Sequence, residues 1–379
     1  NYSGAADLIM DPSNPDVLYL ANHQRRRHVF TYVGGGKESA VFKTENGGET
    51  WDELKNGLPS GKMGRVGLAI SPVNTKYVYA IVEAEGDAGG FFRSTNSGAS
   101  WEKRSDYSSS GNYYQEIYCD LTDVDKVFSM NTWLKHTEDG GKTFVSTGES
   151  NKHVDNHCMW IDPQNDQHWL VGCDGGLYET WDHATTWQYK TNLPITQFYK
   201  VAVDNASPFY NVYGGTQDNN SLGGPSRTVN NAGILNSDWF ITNGGDGFET
   251  QIDPVDPNIV YAQAQYGWLV RYDKKSGEKL GIQPMPGATE KPYRWNWDAP
   301  LVISNHNHKR LYFAANKVFK SDDMGATWET ISPDLTRQLD RNKLKVMGEI
   351  QSPDVVMKNK STTIFGNIVA LDESSLNEN

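Results

Sequence analysis

Only three cysteines occur in 379 residues, Cys119, Cys158 and Cys173, and none stands in a CxxC or zinc-ligand spacing. So sparse and odd a set excludes a disulfide framework as the main source of stability, and neither a metal nor a cofactor is expected. Cys158 and Cys173 fall on the first and second strands of one repeat, where they are placed either to pair or to stand as small buried thiols. Long apolar runs are also missing: nothing approaches the roughly 18 residues of a membrane-crossing helix. Basic residues are in deficit, 35 Lys and Arg against 47 Asp and Glu, a formal charge of −12. That balance opposes binding to a phosphate backbone and excludes nucleic acid as the expected partner. The one basic cluster, Arg25-Arg26-Arg27-His28, is short, lies in a loop insertion and reads as a local salt-bridging or partner contact.

What the chain has instead is aromatic residues, 12 Trp, 19 Tyr and 13 Phe, and a repeated eight-residue pattern, Ser/Thr-x-Asp/Asn-x-Gly-x-Thr/Ser-Trp. Five copies run from Thr44 to Trp51, Ser94 to Trp101, Thr137 to Phe144, Thr180 to Trp187 and Ser321 to Trp328, with Phe144 replacing one Trp and Ala184 one glycine. The closing aromatics recur about every 43 to 50 residues, with a last gap of about three periods, which marks repeated supersecondary units. A second signal, a turn followed by a short strand ending in an aromatic, recurs at the same period. Asp11-Pro12-Ser13-Asn14-Pro15 to Tyr19, Ser71 to Tyr79, Asp253-Pro254 to Tyr261 and Ser304 to Tyr312 are its clearest copies.

Within a unit the apolar runs are short, β-branched and aromatic, bounded by Gly, Pro, Asn and Asp, as in residues 66–70, 77–82 and 90–94. None is long enough for a helix, so the fold expected is all-β: a β-propeller of about seven four-stranded blades. Blade starts are expected near residues 5, 66, 116, 157, 198, 248 and 299, with a further blade opening near 366, so that the chain reads as part of a larger one- or two-propeller protein. The eight-residue pattern belongs at the turn between third and fourth strands. There Asn46, Asn96, Asp139, Asp182 and Asp323 bond the turn's own backbone, and Trp51, Trp101, Phe144, Trp187 and Trp328 pack between strands or blades, a structural role.

The pattern is the Asp-box, and the chain resembles the Asp-box propellers: sortilin-type receptors, two-domain xyloglucanases and sialidases. Segments such as His153-Val154-Asp155-Asn156-His157, residues 171–179 and residues 209–220 are most similar to large bacterial sortilin N-terminal-like, BNR-repeat glycosyl hydrolases. This resemblance spans essentially the full length and implies an extracytoplasmic protein, secreted, periplasmic or at the cell surface.

In a propeller, loops between second and third strands emerge on the same face as the links between blades, and function is usually placed there. That sorting gathers His153, Asp155, His157, Tyr199, Gln217, Trp268, Trp295 and Trp297 as ligand-binding candidates. Glu83, Tyr113, Tyr114, Gln115 and Glu116 fall on the same face. On a strand, His153, Asp155 and His157 would alternate onto one face, as a metal site requires, although a hydrogen-bonded structural pair explains them equally. Trp295, Trp297 and Trp268 are placed to form a stacking platform, with blade packing the alternative.

Asp174, in Cys173-Asp174-Gly175-Gly176, stands where the resemblance to two-domain xyloglucanases implies a catalytic aspartate. Glycosidase chemistry needs a second carboxyl facing the first, for which Asp218, Asp246 and Asp298 are the candidates. Two functions therefore stand: a binding module for a glycan, peptide or protein partner, and a glycoside hydrolase using paired aspartates. The first is preferred, because a rigid ring with convergent aromatic and polar groups suffices for it.

Overall fold

The computed structural model describes residues 2–193 and 195–378. Seven four-stranded antiparallel sheets follow one another along the chain, and in each the strands lie side by side in sequence order. The first comprises Ser3–Asp11, Asn14–Gln24, Ala40–Thr44 and Asp52–Leu54; the second Met63–Ile70, Val78–Ala84, Gly90–Ser94 and Glu102–Ser105. Ile117–Cys119, Val127–Ser129, Lys135–Thr137 and Val145–Ser146 make the third, and Asn156–Asp162, Asn165–Cys173, Gly176–Thr180 and Gln188–Tyr189 the fourth. The fifth is Val201–Val203, Asn211–Gly215, Ser221–Pro225 and Phe240–Asn243; the sixth Gly247–Ile252, Ile259–Ala264, Trp268–Asp273 and Lys279–Gly281. Leu301–Ile303, Leu311–Ala314, Val318–Ser321 and Glu329–Thr330 complete the seventh. A four-stranded meander repeated in this way is the propeller blade, and the protein is an all-β propeller protein.

The chain divides into two units. The first holds sheets one to four with residues 340–362; the second holds sheets five to seven with the residues from 363 onward. In each unit the alternation of side chains explains how sheets stack. On the second strand of the second sheet, Val78, Ala80 and Val82 face the first sheet, meeting Tyr19, Val41 and Trp101. Tyr79 and Ile81 point the other way, against Ile117, Cys119 and Val127 of the third sheet. A strand covered on both faces reads as a continuous apolar run, and this one does. Phe128, Met159, Ile161 and Trp169 join sheets three and four. In the second unit Tyr213, Ile252 and Val260 join sheets five and six, and Tyr261, Leu269, Leu301 and Phe313 join six and seven.

All five copies of the repeated pattern are turns from a third to a fourth strand, and they share one hydrogen-bond scheme. The opening hydroxyl of Thr44, Ser94, Thr137, Thr180 and Ser321 donates to the Asn or Asp two residues on, at 2.8, 2.9, 2.8, 2.8 and 2.8 Å. The same hydroxyl accepts the N–H of the fifth residue, Gly48, Gly98, Gly141, Ala184 or Gly325. That residue has positive φ in every copy, the reason glycine suits it and the reason Ala184, at 66°, is the outlier. The Thr327 hydroxyl and amide hold the Asp323 carboxyl down to about 2.

Trp51 closes on its own turn, donating to Gly48 O at 3.1 Å, whereas three later closing aromatics reach back to the tail of the preceding sheet. Trp187 donates to Gly148 O at 3.1 Å, Trp328 to Ile282 O at 2.6 Å, and Phe144 stacks on Tyr107 at 3.8 Å. Trp101 is buried in the core between sheets one and two.

Three findings depart from the sequence expectations. All three cysteines are free, as the thiol reading has it, but only Cys119 is buried: Cys158 is exposed and Cys173 half-buried. Residues 363–378 form no strand, although an opening blade was expected near 366. Their backbone is tied to the seventh sheet by Ile368 N–H to Ala315 O at 2.8 Å and by Glu373 accepting from Ser304 and Asn305. The insertion at Arg25 to His28 forms a two-stranded ribbon, Arg26–His28 with Thr31–Val33, and among the described residues Arg25, Arg26 and Arg27 make no ion pair. Arg27 donates instead to Ser361 O at 2.9 Å and Asn112 Oδ1 at 3.1 Å.

Candidate functional site

In an antiparallel meander the start of the first strand, the end of the second and the start of the third lie at one end of the sheet, and the repeated turns lie at the other. The first end carries most of the candidate residues of both units.

In the first unit these groups link across neighbouring sheets. Arg65, on the first strand of the second sheet, pairs with Glu116, which precedes the third. His157, at the start of the fourth sheet, hydrogen-bonds Asp174 Oδ1 at 2.8 Å from Nε2, and its ring stacks on Tyr114 with centroids 5.4 Å apart. The Tyr114 hydroxyl in turn donates to Asp155. The bond to Asp174 is the main reason the His157 imidazole holds its proton to higher pH than an ordinary histidine, with the Glu116 and Asp155 charges adding to it. Beneath this layer lies a buried ion pair: Lys152 donates to Glu149 at 2.8 Å, Asn156 donates to the same oxygen at 2.8 Å, and the other Glu149 oxygen accepts Leu134 N–H. Glu83, at the end of the second sheet's second strand, is cradled by Gly64 and Gly111, where a Cβ would collide with its carboxylate. One of its oxygens is buried with no hydrogen-bond partner, and burial pushes its carboxyl up to about 7.

In the second unit the same end carries an aromatic row. Tyr199, before the fifth sheet, stacks on Phe248 of the sixth at 4.7 Å and donates to Gln217 at 2.7 Å. Trp297, before the seventh, meets Phe248 edge-on at 6.2 Å and Tyr266 at 4.9 Å. Tyr199 and Tyr266 are 46% and 39% exposed although both touch other rings, and Trp268, at the start of the sixth sheet's third strand, is 50% exposed at the same end. Lys200 ties the three sheets together, reaching Glu249 at 3.1 Å and Asp298 at 2.9 Å.

The structure sorts the sequence candidates. Tyr199, Gln217 and Trp297 come together in the aromatic row, and His157, Asp155 and Asp174 in the network of the first unit. Trp295 does not join the platform: it is 7% exposed and packs on Phe313 and Phe319 in the core, because Gly267 leaves room for its ring. The alternation assumed for His153, Asp155 and His157 also fails. The fourth sheet begins only at Asn156, Asp155 sits at φ 63°, and His153 lies over Gly175 with its Nδ1 on Val154 O. Among the described residues no group of three His, Cys, Asp or Glu is placed to hold a metal ion.

The four aspartates fall in two units, Asp174 in the first and the others in the second. Asp246 is buried, accepting Asp218 N–H at 2.7 Å as part of the turn, and Asp298 is engaged by Lys200. Arg65, Lys200, Phe248 and Glu249 escaped the sequence reading. Their signal is position: each stands at the opening of a first strand, where a charged or aromatic residue faces the neighbouring sheet.

No family model matches the chain. A xyloglucanase of Acetivibrio thermocellus, Xgh74A, is 25% identical over 346 residues, covering 87% of this chain and 32% of that protein. A xyloglucanase of a Paenibacillus species is 27% identical over 124 residues, 31% of this chain and 11% of that one. The chain thus spans about a third of the length of the first of these relatives. Among solved structures, the Niastella koreensis GH74 enzyme is similar over 88% of this chain and 59% of its own, at 15% identity and a TM-score of 0.37. YCF48 from Cyanidioschyzon merolae is similar over 83% and 93%, at 13% identity and a TM-score of 0.35.

Proposed function

We propose that this chain is a glycan-binding propeller segment whose second unit holds sugar rings against the aromatic row of Tyr199, Tyr266, Trp268 and Trp297. The observation that carries this reading is the exposure of Tyr199, Tyr266 and Trp268, with the half-buried Trp297 against Tyr266, at one end of three sheets and beside the amide of Gln217. Pyranose rings offer C–H faces to aromatic planes and hydroxyls to amides, and a preformed row of this kind costs little ordering on binding. Similarity to two xyloglucanases supports a β-glucan of that class as the ligand. Membership of the Asp-box propellers and an extracytoplasmic location belong to the same reading.

Calorimetry with xyloglucan oligosaccharides tests it. Trp297→Ala and Tyr266→Ala should each weaken binding about tenfold, the loss of one stacking contact of about 1–1.5 kcal/mol. Unchanged affinity in both, with folding intact, would sink the reading.

Hydrolysis is the second reading, favoured by the xyloglucanase similarity and by Asp174 lying in the turn between second and third strands of its sheet. It requires release of reducing sugar that Asp174→Asn lowers at least about a hundredfold while glycan binding persists. Without such release the chain binds and does not cleave.

A further inference from the structure

At the functional end of the first unit lies a cleft of about 470 Å³, bounded by Tyr2, His23, Arg25, Arg65, Asn112 and the backbone of residues 4–6. Its polar side chains are overwhelmingly donors. Arg25 makes no ion pair among the described residues, and its side chain reaches the Tyr32 phenol. Arg65 is engaged by Glu116 through one terminal nitrogen. The Asn112 amide oxygen accepts from Arg27 at 3.1 Å, which fixes this side chain at the wall of the cleft. Arg26 lies over the Tyr2 ring at 5.9 Å, adding a further cation to the rim. In a chain of net charge −12 this concentration of cation is the exception. Its field is felt by His23, which burial first, and then Arg25 and Arg65, keep from protonating.

We propose that this cleft is a site for a carboxylate-bearing sugar, with Arg25 and Arg65 clamping a uronate carboxylate. Guanidinium groups present paired N–H donors that match a planar carboxylate. Glu116 pairs with one terminal nitrogen of Arg65 and orients it, while Glu83, raised to about 7, carries little charge below neutrality to repel an anion. The sugar identity of the ligand rests on the glycan reading above; the anion site does not.

The test is titration of the full chain with a glucuronate-bearing xylo-oligosaccharide and its neutral counterpart. The acidic sugar should bind at least about tenfold more tightly at 50 mM salt, and the margin should shrink as salt rises. Arg25→Gln should abolish the margin and leave the neutral sugar's affinity unchanged. Equal affinities for the two sugars, an unaffected margin in Arg25→Gln, or tighter binding of acetate-capped or sulfated probes than of uronate would each overturn the proposal. Failure of the glycan reading alone appears differently: neither sugar's affinity would respond to Trp297→Ala, yet the uronate margin and its dependence on Arg25 would remain.

Discussion

His157 Nε2 and Asp174 Oδ1 lie 2.8 Å apart, joining the first strand of the fourth sheet to the turn between its second and third strands. The carboxylate raises the imidazole's pKa, so this pair stabilises the fold fully below the unfolded histidine value near 6.5 and ceases to do so as pH rises through the higher folded value. Asp174→Asn should therefore lower the His157 titration midpoint seen by NMR. It should also destabilise the protein more at pH 5.5 than at pH 8.5, by no more than about 1 kcal/mol since both groups are partly exposed. A midpoint unmoved by the substitution would show that the pair does not form in solution.

Glu83 behaves in the opposite chemical sense but with the same sign. Burial raises its carboxyl to about 7, so stability present below about 4.5 drains away as pH rises through 7. Glu83→Gln should remove that decline, gaining on the parent protein by something on the order of 3 kcal/mol between pH 4.5 and 8. Parallel unfolding curves for the two proteins across this range would contradict the assignment.

Lys152 and Glu149 are both fully enclosed, and Asn156 and Leu134 complete their hydrogen bonds. Lys152→Met leaves a buried carboxylate without its cation, a change that should cost about 3–5 kcal/mol in chemical denaturation. The double change Lys152→Met with Glu149→Leu should recover much of that loss, and failure to recover would assign the cost to packing around Tyr178 and Trp187, over which the ammonium sits.

Trp187 seals the fourth sheet to the tail of the third through Gly148. Trp187→Ala should cost about 3–5 kcal/mol of stability. Because the repeated turns lie at the end of the sheets away from the candidate site, glycan affinity of the folded fraction should hold. Loss of binding with an unchanged melting temperature would reverse the assignment of ends.

The sheets were legible in the sequence because their cause is local. A hydroxyl, an acid or amide two residues on and a glycine at the fifth place close the turn by themselves, as Thr137, Asp139 and Gly141 do. The continuous apolar run of residues 78–82 likewise declares a strand buried on both faces. Topology put Tyr199 and Gln217 at the same end of one meander, and the fold added the hydrogen bond between them. Tertiary structure decided what depends on partners distant in the chain. Trp295 and Trp297 are indistinguishable as letters, yet Gly267 opens a slot that takes the first into the core while Tyr266 and Phe248 hold the second at the surface. Asp155 left the expected alternation because its backbone turns at φ 63° before the strand begins. Arg65 and Lys200 look like ordinary surface cations until neighbouring sheets bring Glu116, Glu249 and Asp298 against them. A side chain's reach is set by its own residue, but the company it keeps is set by the stacking of sheets.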